Sequence, residues 1–180
     1  PEQEIPDDIR RYPWESCITM TRGWCSMRPE ESIKPMRHII SNLLAIVSRG
    51  GNYLIGIGPD ARGRMSSWIS RGLGELGDFL RVNGEGIYAT RPWTPITSVR
   101  AQEGWSWYAT HPKDSEARVF LFGMPPAPSA DEAADLSLED ATFAAVGLAS
   151  TWLEVPGKVH SARILGSEEG VIVEAREGSS

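Results

Sequence analysis

Ser48-Arg49-Gly50-Gly51-Asn52-Tyr53-Leu54-Ile55-Gly56-Ile57-Gly58-Pro59-Asp60-Ala61-Arg62-Gly63-Arg64 holds a helix stop, a strand and a turn in one short run. Gly50-Gly51 suits a helix C-terminus, because glycine enters the left-handed region without a Cβ penalty. Tyr53, Leu54, Ile55 and Ile57 form a short apolar run between turn signals, the pattern of a strand covered on both faces. Gly58-Pro59-Asp60 turns the chain again, and Gly63 gives a second permissive position. A buried strand set between helices is the core of a parallel α/β architecture.

Working outward, Trp14 to Thr21 has enough β-formers for a short strand. Arg22-Gly23-Trp24-Cys25 follows as a loop. Loops at the C-terminal ends of barrel strands build active sites, and Trp24 stands on such a loop. Pro29-Glu30-Glu31-Ser32 opens a helix, with acids where the macrodipole favours them. Its apolar stripe runs through Ile33, Met36, Ile39, Ile40, Leu43, Leu44 and Val47, which tolerates Pro35 only within the first turn. Beyond the opening stretch, Met65-Ser66-Ser67 caps a second helix with a stripe of Ile69, Leu73, Leu76, Phe79 and Leu80, ended by Val82-Asn83-Gly84. Gly72, Gly74 and Gly77 each cost that helix about 1 kcal/mol relative to alanine, so packing must hold it. Strand, helix, strand, helix predicts parallel strands with right-handed crossovers. Two strands neither close a barrel nor make a stable sheet, so this half belongs to something larger.

The character changes near Arg91-Pro92-Trp93. Residues 1–92 are read as the α/β domain and 93–180 as an antiparallel β-domain, most simply a sandwich. Its short β-type runs are Trp105 to Tyr108, Arg118 to Phe122, His160 to Leu165 and Gly170 to Ala175, with His111-Pro112-Lys113-Asp114 as one of the turns. Pro125 to Asp140 is a long connection rich in Pro, Ala and Ser.

Bulk properties narrow the function. The chain has 180 residues, 41% apolar and 23% charged, which is enough for a packed core. A net charge of −6 with no basic run argues against nucleic acid. No apolar stretch reaches the roughly 20 residues that span a bilayer. Cys17 and Cys25 make no disulfide framework, and His38, His111 and His160 are scattered, so no metal or cofactor site is expected. The seven tryptophans should mostly be core, with room for one that meets a ligand. The turn from Gly58 to Arg64 lacks the Lys-Ser/Thr of a phosphate loop, and its Pro and Asp remove a donor and add negative charge.

From composition and spacing alone, Glu2 is a carboxylate in an acidic, proline-rich loop, and Trp24 either packs in the core or faces a ligand. A series of motifs in order says more. Pro1-Glu2-Gln3, Pro13-Trp14-Glu15-Ser16-Cys17-Ile18-Thr19, Val47-Ser48-Arg49-Gly50-Gly51-Asn52-Tyr53-Leu54, Gly58 to Arg64, and Val82-Asn83-Gly84-Glu85-Gly86-Ile87-Tyr88-Ala89-Thr90-Arg91-Pro92-Trp93 together resemble the α-L-fucosidases of glycoside hydrolase family 29. Val119 to Pro125 and Lys158 to Ser167 resemble strands of that family's C-terminal sandwich. The resemblance implies an α/β fold: the C-terminal portion of a (β/α)8-like TIM barrel followed by an antiparallel β-sandwich. It implies a retaining hydrolase that removes terminal α-L-fucose from a fucosylated glycan or glycoconjugate. It also implies a secreted, periplasmic or lysosomal setting.

In such an enzyme one carboxylate attacks the anomeric carbon while another protonates the leaving oxygen and later activates water. The resemblance maps the acid/base onto Glu2, and maps an aromatic that meets the C6 methyl of fucose onto Trp24. It assigns Glu15, Asn52 and Gly58 structural roles, and places the nucleophilic aspartate and the fucose-binding histidines upstream of Pro1. On that mapping the chain alone is an inactive fragment. Two departures stand out: Cys25-Ser26-Met27 where the family has glycine-tyrosine-asparagine, and Gly56 where its strand often has a second asparagine. The competing reading is a non-catalytic carbohydrate-binding or interaction protein built on the same fold.

Overall fold

The computed structural model describes residues 1–24, 33–98, 100–101, 103–115, 118–126 and 153–154. Strand β1 (Trp14–Thr19) alternates between two faces. Trp14, Ser16 and Ile18 are buried on one, while Glu15 is exposed on the other. It pairs in parallel with β2 (Gly51–Gly56), from Trp14 opposite Gly51 to Thr19 opposite Gly56. On its other edge β1 meets the chain start, where Cys17 N donates to Pro1 O at 3.0 Å and Gln3 N donates to Cys17 O at 2.9 Å. This parallel bridge puts Glu2 opposite Cys17, so strand-like backbone flanks β1 on both sides.

Helix α1 (Met36–Val47) crosses from β1 back to β2. The sequence places its start near Pro29 to Ser32, with Ile33 and Pro35 in its first turns. Instead Pro35 caps it from an extended conformation (φ −53°, ψ 139°), and no acidic residue lies in its first turn. The cause is competition for backbone groups. Ile33 bridges Thr21, and Lys34 N donates to Met20 O at 3.0 Å, so this segment is tied to the end of β1 before the helix can begin. Residues 29–32 lie outside the described residues. At the far end Gly50, at φ +80°, donates its N–H to Val47 O and turns the chain into β2. Gly51 serves a different need: a Cβ there would stand 2.5 Å from the Trp14 ring.

Helix α2 (Ser67–Asn83) starts as expected, with the Ser66 hydroxyl accepting from Ile69 N at 3.3 Å. Its stripe joins β1, β2 and α1 through a cluster of Met20, Met36, Ile39 and Ile69, flanked by Ile55, Ile57, Leu73 and Leu76. A second cluster of Trp14, Ile18 and Ile46 seals the start of the sheet against α1. The opposite face of β2 is not covered by described residues: Leu54 is 49% exposed. The expectation of a strand buried on both faces is therefore met on the helix side only. Among the described tryptophans Trp14 is buried, Trp68, Trp93, Trp105 and Trp107 are half-buried, and Trp24 is exposed.

A short 3-10 turn (Gly84–Gly86) leads to an antiparallel sheet in the order β3 (Thr90–Pro92), β5 (Ser106–Pro112), β6 (Phe120–Met124). Between β3 and β5 lie a second 3-10 segment (Thr94–Ser98) and β4 (Arg100–Ala101), which pairs antiparallel with β7 (Leu153–Glu154). His111 and Pro112, read as a turn, instead complete β5, because they pair with Arg91 and Thr90. The sheet packs on the outer face of α1 through Leu44, Ile87, Phe120 and Phe122. Ser41 and Tyr108 share a 2.8 Å hydrogen bond there, and Arg37 donates to Pro125 O. The runs at 160–165 and 170–175, and most of the 125–140 connection, lie outside the described residues.

Candidate active site

Paired residues in a β-bridge send their side chains to the same side. Glu2, Cys17 and Leu54 therefore form one row across three parallel segments, on the face away from α1. Glu15 and Asn52 occupy the row nearer the strand starts, and Thr19 and Gly56 the row nearer the strand ends. This open face is where Glu2, paired with Cys17, projects. Glu2 is exposed.

The backbone beside it is unusual. Gln3 sits at φ +55°, in the left-handed region that few non-glycine residues occupy. Its side chain is held at both ends. Nε2 donates to Thr19 Oγ1 at 2.9 Å, and Oε1 accepts from Lys34 Nζ at 3.2 Å. Thr19 is almost completely buried; its hydroxyl donates to Thr21 O at 2.6 Å, and Lys34 Nζ also approaches it at 3.5 Å. Burial, and then the Arg22 charge, push the Lys34 ammonium down from the usual lysine range. His38, one turn further on, is pushed down by desolvation and then by Lys34. A side chain at position 56 would crowd this end of the sheet, since a Cβ there would lie 3.1 Å from Thr19 Cγ2.

Trp24 lies beyond the end of β1, after a turn in which the Thr21 hydroxyl donates to Gly23 O at 2.7 Å. Trp24 is 46% exposed. It thus follows the C-terminal end of β1, the side on which α/β folds place ligands, while Glu2 pairs with Cys17 within that strand. Cys25-Ser26-Met27 lies outside the described residues. No group of three or more His, Cys, Asp or Glu among the described residues is arranged to hold a metal ion. No described helix is long and apolar enough to cross a membrane.

The turn from Gly58 to Arg64 occupies its own donors. Asp60 Oδ1 accepts from Arg62 N at 2.8 Å and Arg64 N at 2.9 Å, and Oδ2 pairs with the Arg64 guanidinium at 3.0 Å. The amides that a phosphate would need are already bonded to a carboxylate of the same turn.

Comparison with known proteins bears on the same segment. Residues 1–85 match the family model described as α-L-fucosidase. An α-L-fucosidase of Branchiostoma floridae is 34% identical over 119 residues, and a tissue α-L-fucosidase of Mus musculus is 37% identical over 94. Over this segment the chain is similar to the α-L-fucosidases.

Solved fucosidase structures extend the likeness to the fold. The Thermotoga maritima α-fucosidase, solved in complex with fucose, superposes on 64% of this chain with a TM-score of 0.55 and 26% identity. The α-L-fucosidase isoenzyme 1 of Paenibacillus thiaminolyticus covers 62% with a TM-score of 0.52 and 28% identity. The likeness is to part of each relative. The chain spans about a quarter of the length of the curated fucosidases it matches: 26% of the Branchiostoma protein and 20% of the mouse protein, which align with 64% and 51% of this chain.

Sequence reasoning singled out Glu2 and Trp24 but missed the network of Gln3, Thr19 and Lys34 beside Glu2. Only spatial proximity reveals it. Lys34 is far from Gln3 in sequence and carries no motif; the one available signal was Pro35, which forces the preceding residue away from helix and towards the strand end.

Proposed function

We propose that this chain is the C-terminal part of a retaining α-L-fucosidase that removes terminal α-L-fucose from glycans, with Glu2 as general acid/base and Trp24 as a pocket aromatic. The observation that carries the reading is a coincidence of segments. The residues matching the family are also the parallel α/β part, and Glu2 projects from the open face of its sheet. In this reading residues 1–92 complete a (β/α)8-like barrel, whose lumen takes up the uncovered side of Leu54 and Asn52, and residues 93–180 form the sandwich behind it.

The chemistry follows from the placement. Retention needs a nucleophilic carboxylate roughly 5–5.5 Å from the acid/base. The nucleophile is supplied by a part of the protein outside these 180 residues, across the lumen from β1. Glu2 in its protonated form gives its proton to the glycosidic oxygen as the bond breaks, and as carboxylate then takes a proton from the water that releases fucose. Trp24 offers an apolar ring to the C6 methyl, the one feature that distinguishes fucose from a fully hydroxylated hexose.

The test is the full-length protein carrying Glu2→Gln, assayed on an activated aryl α-L-fucoside and on a fucosyl disaccharide. Loss of the general acid should slow the disaccharide about 10²-fold or more in kcat/KM while the activated substrate, whose leaving group needs little protonation, is nearly spared. Equal losses on both substrates would remove Glu2 from this role. The 180-residue chain alone should not turn over the aryl fucoside, and turnover by it would overturn the assignment of the nucleophile to another part of the protein. Fucose binding without turnover by the full-length protein would favour the non-catalytic alternative.

A further inference from the structure

The Glu2 reading leaves one device unexplained: a glutamine in a left-handed conformation, fastened at both ends of its amide, directly after the candidate acid/base. Nothing in the strand pairing demands it. The bridge to Cys17 uses only backbone groups of Pro1 and Gln3, and a glycine would adopt the same φ without strain. A strained residue that persists beside a functional group is held there by its surroundings, and the surroundings here can be named.

Three elements converge on the Gln3 amide. Thr19 comes from the end of β1, Lys34 from the segment before α1, and Gln3 from the backbone flanking β1. The bonding is closed. The Thr19 hydroxyl gives its proton to Thr21 O and accepts from Gln3 Nε2, while Gln3 Oε1 accepts from a cation. A hydrogen bond to a charged donor is stronger than a neutral one, and Thr19 is buried where it cannot drift. The segment carrying Glu2 is thereby fixed on β1 twice: by backbone on its near side, and by the Gln3 side chain at the strand end. We propose that Gln3, clamped between Thr19 and Lys34, is a positioning residue for the Glu2 carboxyl, setting the angle from which it reaches the leaving oxygen. This rests on the reading of Glu2 as acid/base. Gln3 itself touches no reacting atom; it acts through the backbone it shares with Glu2.

A positioning role makes a demand that a stabilising role does not. Misplacing the acid should hurt only the step in which the acid acts. The experiment uses the full-length protein with Gln3→Ala, Lys34→Met, Lys34→Arg and Glu2→Gln, and with Glu2→Gln combined with Gln3→Ala. kcat/KM is measured on the fucosyl disaccharide and on the activated aryl fucoside, with thermal unfolding to confirm folding. Gln3→Ala and Lys34→Met should each lower kcat/KM on the disaccharide about tenfold or more while leaving the aryl substrate within about threefold. Lys34→Arg, which keeps a cation within reach of the amide oxygen, should recover most of the loss. In the Glu2→Gln background, Gln3→Ala should cost nothing further, because there is no acid left to aim. Equal losses on both substrates, or full additivity with Glu2→Gln, would overturn the proposal. Should Gln3→Ala fail to fold, Lys34→Met carries the same comparison. The two readings fail differently. If Glu2→Gln itself shows no dependence on leaving group, the acid/base assignment falls; if it does and the Gln3 and Lys34 variants do not, only the clamp falls.

Discussion

Three glycines in α2 offer a test of how the parallel half is packed. Gly72, Gly74 and Gly77 look equivalent in sequence, and each should cost the helix up to about 1 kcal/mol relative to alanine. Their surroundings differ. A Cβ at Gly74 or at Gly77 would meet nothing within 4 Å, whereas one at Gly72 would stand 2.3 Å from Met20 Cε and 3.4 Å from Met36 Sδ. Met20 is flexible, but it is fully buried beneath α2, so its methyl has no solvent to swing into. Overpacking a filled core costs about 1–3 kcal/mol, which equals or exceeds the gain in helix propensity. Gly74→Ala and Gly77→Ala together should therefore stabilise by roughly 1–2 kcal/mol and raise Tm. Gly72→Ala should leave Tm unchanged or lower it. Circular dichroism melts of the full-length protein measure all three. In a Met20→Ala background, where the obstacle is gone, Gly72→Ala should recover a gain like that of Gly74→Ala. A Gly72→Ala variant as stabilising as Gly74→Ala in the unaltered chain would refute the seating of α2 on Met20.

Gly51→Ala should be more damaging, since its Cβ would press within 2.6 Å of three atoms of the buried Trp14 ring. A loss of about 2 kcal/mol or more in a denaturant titration is expected, and a shift within about 0.5 kcal/mol would refute the contact. Asp60 gives a pH test. The amide of Arg64, first among its partners, holds the Asp60 carboxyl below its ordinary value of 3.8. A depressed folded-state pKa contributes stability above the unfolded value and loses it as pH falls through the folded one. Asp60→Asn should therefore lower Tm at neutral pH, and the difference from the unaltered chain should narrow below pH 3.8; a gap constant with pH would exclude the charge as its source.

What the sequence reveals here depends on whether a residue's role is set by its neighbours in the chain. The Ser66 cap, the Gly50 stop and the two apolar stripes were legible because each follows from local periodicity or local φ. The start of α1 was not. Ile33 fits the helical stripe by spacing, yet its backbone bridges Thr21, a contact between residues twelve apart that no local rule anticipates. His111 and Pro112 look like a turn by composition, but pairing with Thr90 and Arg91 overrides that preference. At the site, Glu2 and Trp24 came from motif resemblance, and the geometry adds that Glu2 pairs beside β1 and that Trp24 is exposed beyond its end. The Gln3 clamp came from neither, because its partners arrive from separate elements.

The glycines that decide the fold and the Gln3 clamp on Thr19 sit at opposite ends of the same pair of strands. Gly50 and Gly51 act where β2 begins, one by its positive φ and the other by yielding space to Trp14. After β2, the turn from Gly58 to Arg64 spends its free amides on Asp60, so the glycine-rich loop closes on itself. At the C-terminal end of β2, Gly56 stands opposite Thr19 and has no side chain to offer a ligand. The polar groups there belong to the other edge of β1: Thr19, Gln3 and Lys34, gathered beside Glu2. Gly56 is consistent with this division, since a larger residue would press on the Thr19 methyl and disturb the hydroxyl that anchors Gln3. A Gly56→Val substitution in the full-length protein should thus weaken turnover of the disaccharide, with the activated fucoside spared as in Gln3→Ala. Equal activity on the disaccharide would separate position 56 from the clamp.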